Sequence, residues 1–202
     1  MDRRVRLTGA VAAAALLAAT SGLAFGQAGA GTAQTIAGSG SSSSGLSKSD
    51  RTFMMKAAQG GIAEVEMGRL AAQKSQDPQI RAFGNRMVQD HSQANDKLMQ
   101  VAQTLNVELP TTADKKDQTQ LEKLQGLSGG SFDRAYAPDM VKDHKKDIAE
   151  FEREAKNVRN PALKAWVQET LPVLKEHLQL AEALPAQRSR AAEAGTSGTT
   201  PR

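Results

Sequence analysis

The chain has no cysteine, and only 3% of its 202 residues are aromatic. Without cysteine there are no disulfides, no thiolate metal ligands and no lipid anchor on a signal cysteine, so stability must come from a packed core. Alternating β-branched runs are also scarce, which removes the strand signal and points to an all-α fold. No apolar run approaches the about 20 residues that a transmembrane helix needs. A Gly-rich phosphate loop, a serine nucleophile elbow and a His-Glu-x-x-His zinc helix are missing as well. A basic face is absent despite a sequence pI of about 9.4. Between Asp50 and Pro185 there are 19 Lys and Arg against 20 Asp and Glu, and the surplus of basic residues lies in the flanks. Nothing remains to follow a phosphate backbone, so nucleic acid is excluded as a partner.

What is present divides the chain into four parts. Residues 1–26 read as an export signal: basic Arg3, Arg4 and Arg6, an apolar run from Val11 to Ala19, then small residues around Ala24-Phe25-Gly26. Cleavage near Gln27 and an ordinary basic n-region, rather than a twin-arginine signal, are expected. The expected address is the periplasm or another extracytoplasmic space, in soluble form with no transmembrane segment after signal removal. Residues 27–48 are rich in Gly, Ser, Thr and Ala and include Ser41 to Ser44 in a row, the composition of a disordered tether. Residues 186–202 have the same character, which leaves 49–185 as one domain with a real core.

Four long helices are expected in that domain. The first runs from about Asp50 to Gln76 behind a Ser49 cap. The second opens at Asp77-Pro78, an acid cap followed by proline at the first helical position, and runs to about Leu105, before Pro110. The third follows Gly129-Gly130 with Ser131 as cap, and the fourth opens at Asn160-Pro161 and runs to about Leu184. A short helix over Asp114–Gln125 fills the long connection. Two tight junctions and one long one predict two helical hairpins joined by a crossover. An internal echo fits that plan: Phe83-x-x-x-Met87-Val88-x-Asp90-His91 recurs 53 residues later as Tyr136-x-x-x-Met140-Val141-x-Asp143-His144.

The three histidines are the chain's only ones, and each falls on the apolar stripe of a different helix. His91 shares a stripe with Ile80, Phe83, Met87 and Leu98; His144 with Phe132, Tyr136, Met140 and Phe151; His177 with Leu163, Trp166, Leu174 and Ala181. Glu64 lies on a small-residue stripe of the first helix with Phe53, Ala57, Gly60, Met67 and Ala71. Small residues there either admit a neighbouring backbone or leave room for a ligand. At about 1.5 Å per residue, all four polar groups lie within about one turn of mid-height. One Glu and three His therefore belong to one layer.

A buried imidazole without a partner costs about 1–3 kcal/mol, so the layer needs an explanation. One reading is a structural polar layer, with each imidazole hydrogen-bonded to a carboxylate on a neighbouring helix. Asp90, Asp143 and Glu176, one residue before each histidine, are the candidate acids for that role. A second reading is a transition-metal site, since neutral imidazoles and a carboxylate suit Zn, Cu, Ni or Fe. A third is a redox or hydrolytic centre with an open coordination position. Pro172, inside the last helix and close to His177, removes a helical hydrogen bond and is expected to bend or loosen the helix there.

The chain resembles a bacterial exported family of unknown function, number 4142 among the domains so catalogued. The resemblance covers about Ser49 to Leu184. It rests on Ala57-Ala58-Gln59-Gly60 with Glu64 and Gly68, Met87-Val88-x-Asp90-His91, Phe132-Asp133-Arg134-Ala135-Tyr136, Met140-Val141-x-Asp143-His144 and Leu171-Pro172-x-Leu174-x-x-His177. What it implies is a ferritin-like four-helix bundle; members are labelled outer membrane proteins without an assigned activity. The chain departs from ferritin-like di-iron proteins, which pair Glu-x-x-His on two helices. Val88, Val141 and Leu174 stand where those glutamates would be, which argues against a di-iron centre. The sequence thus predicts an exported, non-enzymatic cell-envelope protein whose Glu64/His91/His144/His177 layer either binds a transition-metal ion or locks the core. The alternatives are a metal-dependent redox enzyme of envelope stress defence and an interaction module, with an envelope protein as partner, whose histidine layer is purely structural.

Overall fold

In a computed structural model, residues 46–185 are described. The expected signal segment, residues 27–45 of the expected tether and the 186–202 tail lie outside the described residues. Among the described residues the fold is all-helical, with α1 over Lys48–Lys74, α2 over Pro78–Thr104, α3 over Lys115–Gln125, α4 over Gly129–Asn157 and α5 over Pro161–Ala183.

Local chemistry sets the boundaries. The Asp77 and Asn160 side chains accept hydrogen bonds from the first-turn amides of α2 and α5, with Pro78 and Pro161 just inside. Asp114 caps α3 in the same way. Two starts differ from the sequence expectation. α1 begins at Lys48 with Ser47, not Ser49, as cap, because Asp50 can return the bond to the Ser47 amide and close a capping box. Leu46 just before it packs on the core, so ordered structure reaches into the end of the expected tether. α4 begins at Gly129, whose φ of 53° a residue with a side chain rarely adopts. Ser131 is consequently one turn inside, its hydroxyl donating to the Ser128 carbonyl at 2.7 Å. α2 ends at Thr104, within a residue of the expected Leu105: Asn106 turns left-handed at φ 51°, and the Val107 amide reaches back to the Ala102 carbonyl at 2.9 Å.

α1 packs mainly on α2 and α4 mainly on α5, while α2 also meets α5 and α1 meets α4. α3 lies against α1 and α4. The apolar core divides into two clusters. One holds Met67, Ile80, Phe83, Phe132, Tyr136 and Met140. The other holds Phe53, Met54, Leu98, Phe151, Trp166 and Leu174. In α2, α4 and α5 the histidine separates the residues of one cluster from those of the other, so the polar layer lies between two dry ends. The order in which each helix visits the clusters fixes its direction. α1 runs against α2 and α4 against α5, as short connections require, whereas α2 and α4 run the same way. Their connection must therefore return over the length of a 27-residue helix, about 40 Å, and α3 forms part of that return.

Close approach of α1 and α2 depends on two glycines. A Cβ on Gly68 would lie 2.7 Å from the Gly84 carbonyl, and one on Gly84 would lie 2.6 Å from the Gly68 carbonyl. α5 continues through Pro172, and α4 through Pro138, without ending. No helix of the described residues is long and apolar enough to cross a membrane.

Candidate metal centre

His91, His144 and His177 come from α2, α4 and α5 and meet at mid-height, with ring centroids 5.1–5.8 Å apart. His144 and His177 are wholly buried and His91 nearly so. Glu64 on α1 completes the layer, its Oε2 3.0 Å from His91 Nδ1 and its Oε1 3.6 Å from His144 Nε2. The stripe register and the mid-height argument thus place all four residues where they meet.

The arrangement is best read nitrogen by nitrogen. His144 Nδ1 lies 2.9 Å from the Met140 carbonyl, which can only accept, so this nitrogen carries the proton and Nε2 carries a lone pair. His177 Nε2 lies 2.9 Å from Asp90 Oδ2, and donation to that carboxylate leaves Nδ1 bare. His91 Nδ1 faces Glu64 and leaves Nε2. The three remaining nitrogens, His91 Nε2, His144 Nε2 and His177 Nδ1, are buried without a hydrogen-bond partner. One ring nitrogen from each histidine lies within 4.8 Å of the others, close enough to hold one metal ion. Orienting one nitrogen by an acceptor and presenting the other is how metal-binding imidazoles are held.

Charge favours neutral rings. Burial pushes His91 well below its ordinary range, and the neighbouring His144 and His177 add to the shift. Burial lowers His144 from 6.5 to about 4. His177 is also lowered by burial, partly offset by its bond to Asp90. Burial, reinforced by Asp147 and Asp143, raises Glu64 well above the usual carboxylate range. Desolvation would raise Asp90 too, but hydrogen bonds from His177 and Arg86 hold it below its ordinary value.

The three expected orienting acids have different fates. Asp90 alone is hydrogen-bonded to an imidazole among the described residues, and it reaches across from α2 to α5. Glu176 is half-exposed and pairs with Arg86 at 2.9 Å, and the same guanidinium binds Asp90 at 3.0 Å. Asp143 lines a cavity of about 290 Å³ that touches the layer at Glu64 and His91. Asp147 and Glu150 line that cavity as well and were not anticipated, although their spacing from Asp143 along α4 puts all three on one face. Arg86 also escaped the sequence reading, since nothing marks a surface arginine as bonded to a buried histidine's partner. The close approach of the neighbouring backbone is made at Gly68, outside the small-residue stripe, while Gly60 on that stripe borders the cavity with nothing within 4 Å of an added Cβ.

No curated protein and no solved structure matches the chain. A known sequence family does: the domain of unknown function DUF4142 matches residues 36–184, and the chain belongs to that family.

Proposed function

We propose that this is an exported cell-envelope protein, a ferritin-like four-helix bundle with α3 in its crossover, that binds one transition-metal ion and is not an enzyme. The observation that carries the metal reading is a triad with one ring nitrogen of each histidine within 4.8 Å of the others, in which every imidazole has one buried, partnerless nitrogen and its opposite nitrogen held or faced by an acceptor. A purely structural polar layer predicts the reverse, because buried polar atoms are normally satisfied. Three imidazoles suit Zn, Cu, Ni or Fe, and one position stays open beside Glu64. A di-iron centre has too few carboxylates here. Export rests on the basic start and short apolar run of residues 1–26.

Loading such a site has a proton cost. While Glu64 holds a proton and donates to His91 Nδ1, His91 Nε2 is an N–H and cannot ligate. A cation at the centre favours the ionised carboxylate, His91 Nδ1 then donates to Glu64, and one proton leaves. Thermal melts of tag-free protein with and without Zn, Cu, Ni and Fe test the reading. Bound metal should stabilise the fold by about 2.7 kcal/mol at a hundredfold excess over its dissociation constant. His91→Ala, His144→Ala and His177→Ala should each remove that gain, and chelator should remove it from the wild type. If no metal shifts the wild-type melt at neutral pH, the layer is structural. Intact mass of protein recovered from the envelope should begin near Gln27; a full-length cytoplasmic chain would refute export.

A further inference from the structure

The cavity beside Glu64 has a charge pattern that the triad alone does not need. Asp114, Asp117, Asp143, Asp147 and Glu150 face it, against Lys56, Lys116 and Lys146. Lys146 lies 3.5 Å from Asp147 and Lys116 lies 3.8 Å from Asp117, so at least two carboxylates have a cationic neighbour. The balance still favours cations. A second observation points to a ligand. Glu64 is 7% exposed, and its Oε1 has no hydrogen-bond partner. That residue is both the wall of the cavity and the neighbour of the triad, with Oε1 3.6 Å from His144 Nε2. On α1 the wall at Gly60 is open, as no atom would meet a Cβ there. His144 and His177 have no exposed surface, and the side of the triad at His177 is closed by Asp90 and its ion pair with Arg86.

We infer that this cavity is the loading route of the triad: Asp143 and Asp147 capture hydrated divalent transition-metal cations, and Glu64 Oε1 passes them to the three imidazoles. The inference rests on the metal reading above and adds that the ion is exchangeable rather than locked in during folding. A carboxylate-lined cleft with apolar walls focuses the field and raises the association rate of a cation by about 10- to 1,000-fold. The oxygen ligands hold a hydrated ion loosely, while the imidazoles hold it once it has shed water.

Stopped-flow mixing of the metal-free full chain with Co²⁺, followed by visible absorption at low salt, tests the route. Asp143→Asn with Asp147→Asn should load about tenfold more slowly, with the same final spectrum and a flatter salt dependence than the wild type. Lys146→Gln, which removes a positive charge from the same wall, should load faster. If the double variant loses helicity, the single variants carry the test, each about threefold slower. Unchanged loading in the carboxylate variants, or slowing by Lys146→Gln, overturns the route and leaves the metal site standing. A wild-type chain that takes up no Co²⁺ overturns the metal reading and the route with it.

Discussion

Acid should destabilise the metal-free protein through its histidines in a way that one substitution exposes. His144 has no exposed surface, and burial lowers it from 6.5 to about 4. In the unfolded chain the ring takes up a proton near its ordinary value; in the folded chain it does so only far lower. Between those values the unfolded state binds more protons, so this residue's contribution is complete above about 6.5 and is lost as pH falls. At about 1.4 kcal/mol per unit, the loss from His144 alone is about 3 kcal/mol, a large part of a typical domain's stability. Glu64 and Asp147 act in the opposite sense. Burial raises both, Asp147 to about 6, so each contributes stability at low pH that is lost as pH rises through its folded value. They flatten the wild-type curve, and the informative quantity is a difference. Urea unfolding by far-UV circular dichroism, with chelator present, should be run on wild type and His144→Gln from about pH 7 to about pH 4. The stability gap between the two should move by about 3 kcal/mol in favour of the variant as pH falls. Parallel curves would refute the claim that burial keeps this imidazole neutral.

Other outcomes follow from single contacts. Gly68→Ala and Gly84→Ala should each cost about 1–3 kcal/mol in chemical denaturation, because the added methyl meets the facing carbonyl, whereas Gly60→Ala, with open space, should be neutral or stabilising by up to about 1 kcal/mol. Calorimetric titration in buffers of different ionisation enthalpy should show one fewer proton released per metal ion in Glu64→Gln than in wild type; an equal release would show that the Glu64–His91 pair does not give up the proton. Asp90→Ala should weaken metal binding by about 10- to 100-fold in competition with a chelating dye, since His177 loses the acceptor that fixes its tautomer.

The layer was legible because it depends on register alone. His91, His144 and His177 keep the three-and-four spacing of their stripes, and equal distance from the helix ends puts them at one height. The choice of partner was not legible, because it depends on how each helix is rotated and which helix it faces. Asp90, Asp143 and Glu176 all precede a histidine by one residue, yet one bonds an imidazole, one lines a cavity and one meets Arg86 at the surface. His144 takes its own helix's Met140 carbonyl instead, a partner that no acid-searching rule would supply. Cap positions slipped for a local reason. Ser47 and Ser49 both look like caps, and only the reciprocal bond from Asp50 selects the first. The direction of α4 relative to α2 was implied by the long connection, but the visits of each helix to the two core clusters are what establish it.

The central claim is that three imidazole nitrogens converge to hold one metal ion, and equilibrium titration of the tag-free, metal-free chain with Co²⁺ tests it most directly. The account predicts saturation at one equivalent with visible bands of a low-coordinate nitrogen site, and loss of those bands in His91→Ala, His144→Ala and His177→Ala, each still helical. Absence of bands in the wild type, or bands that survive all three substitutions, would contradict it.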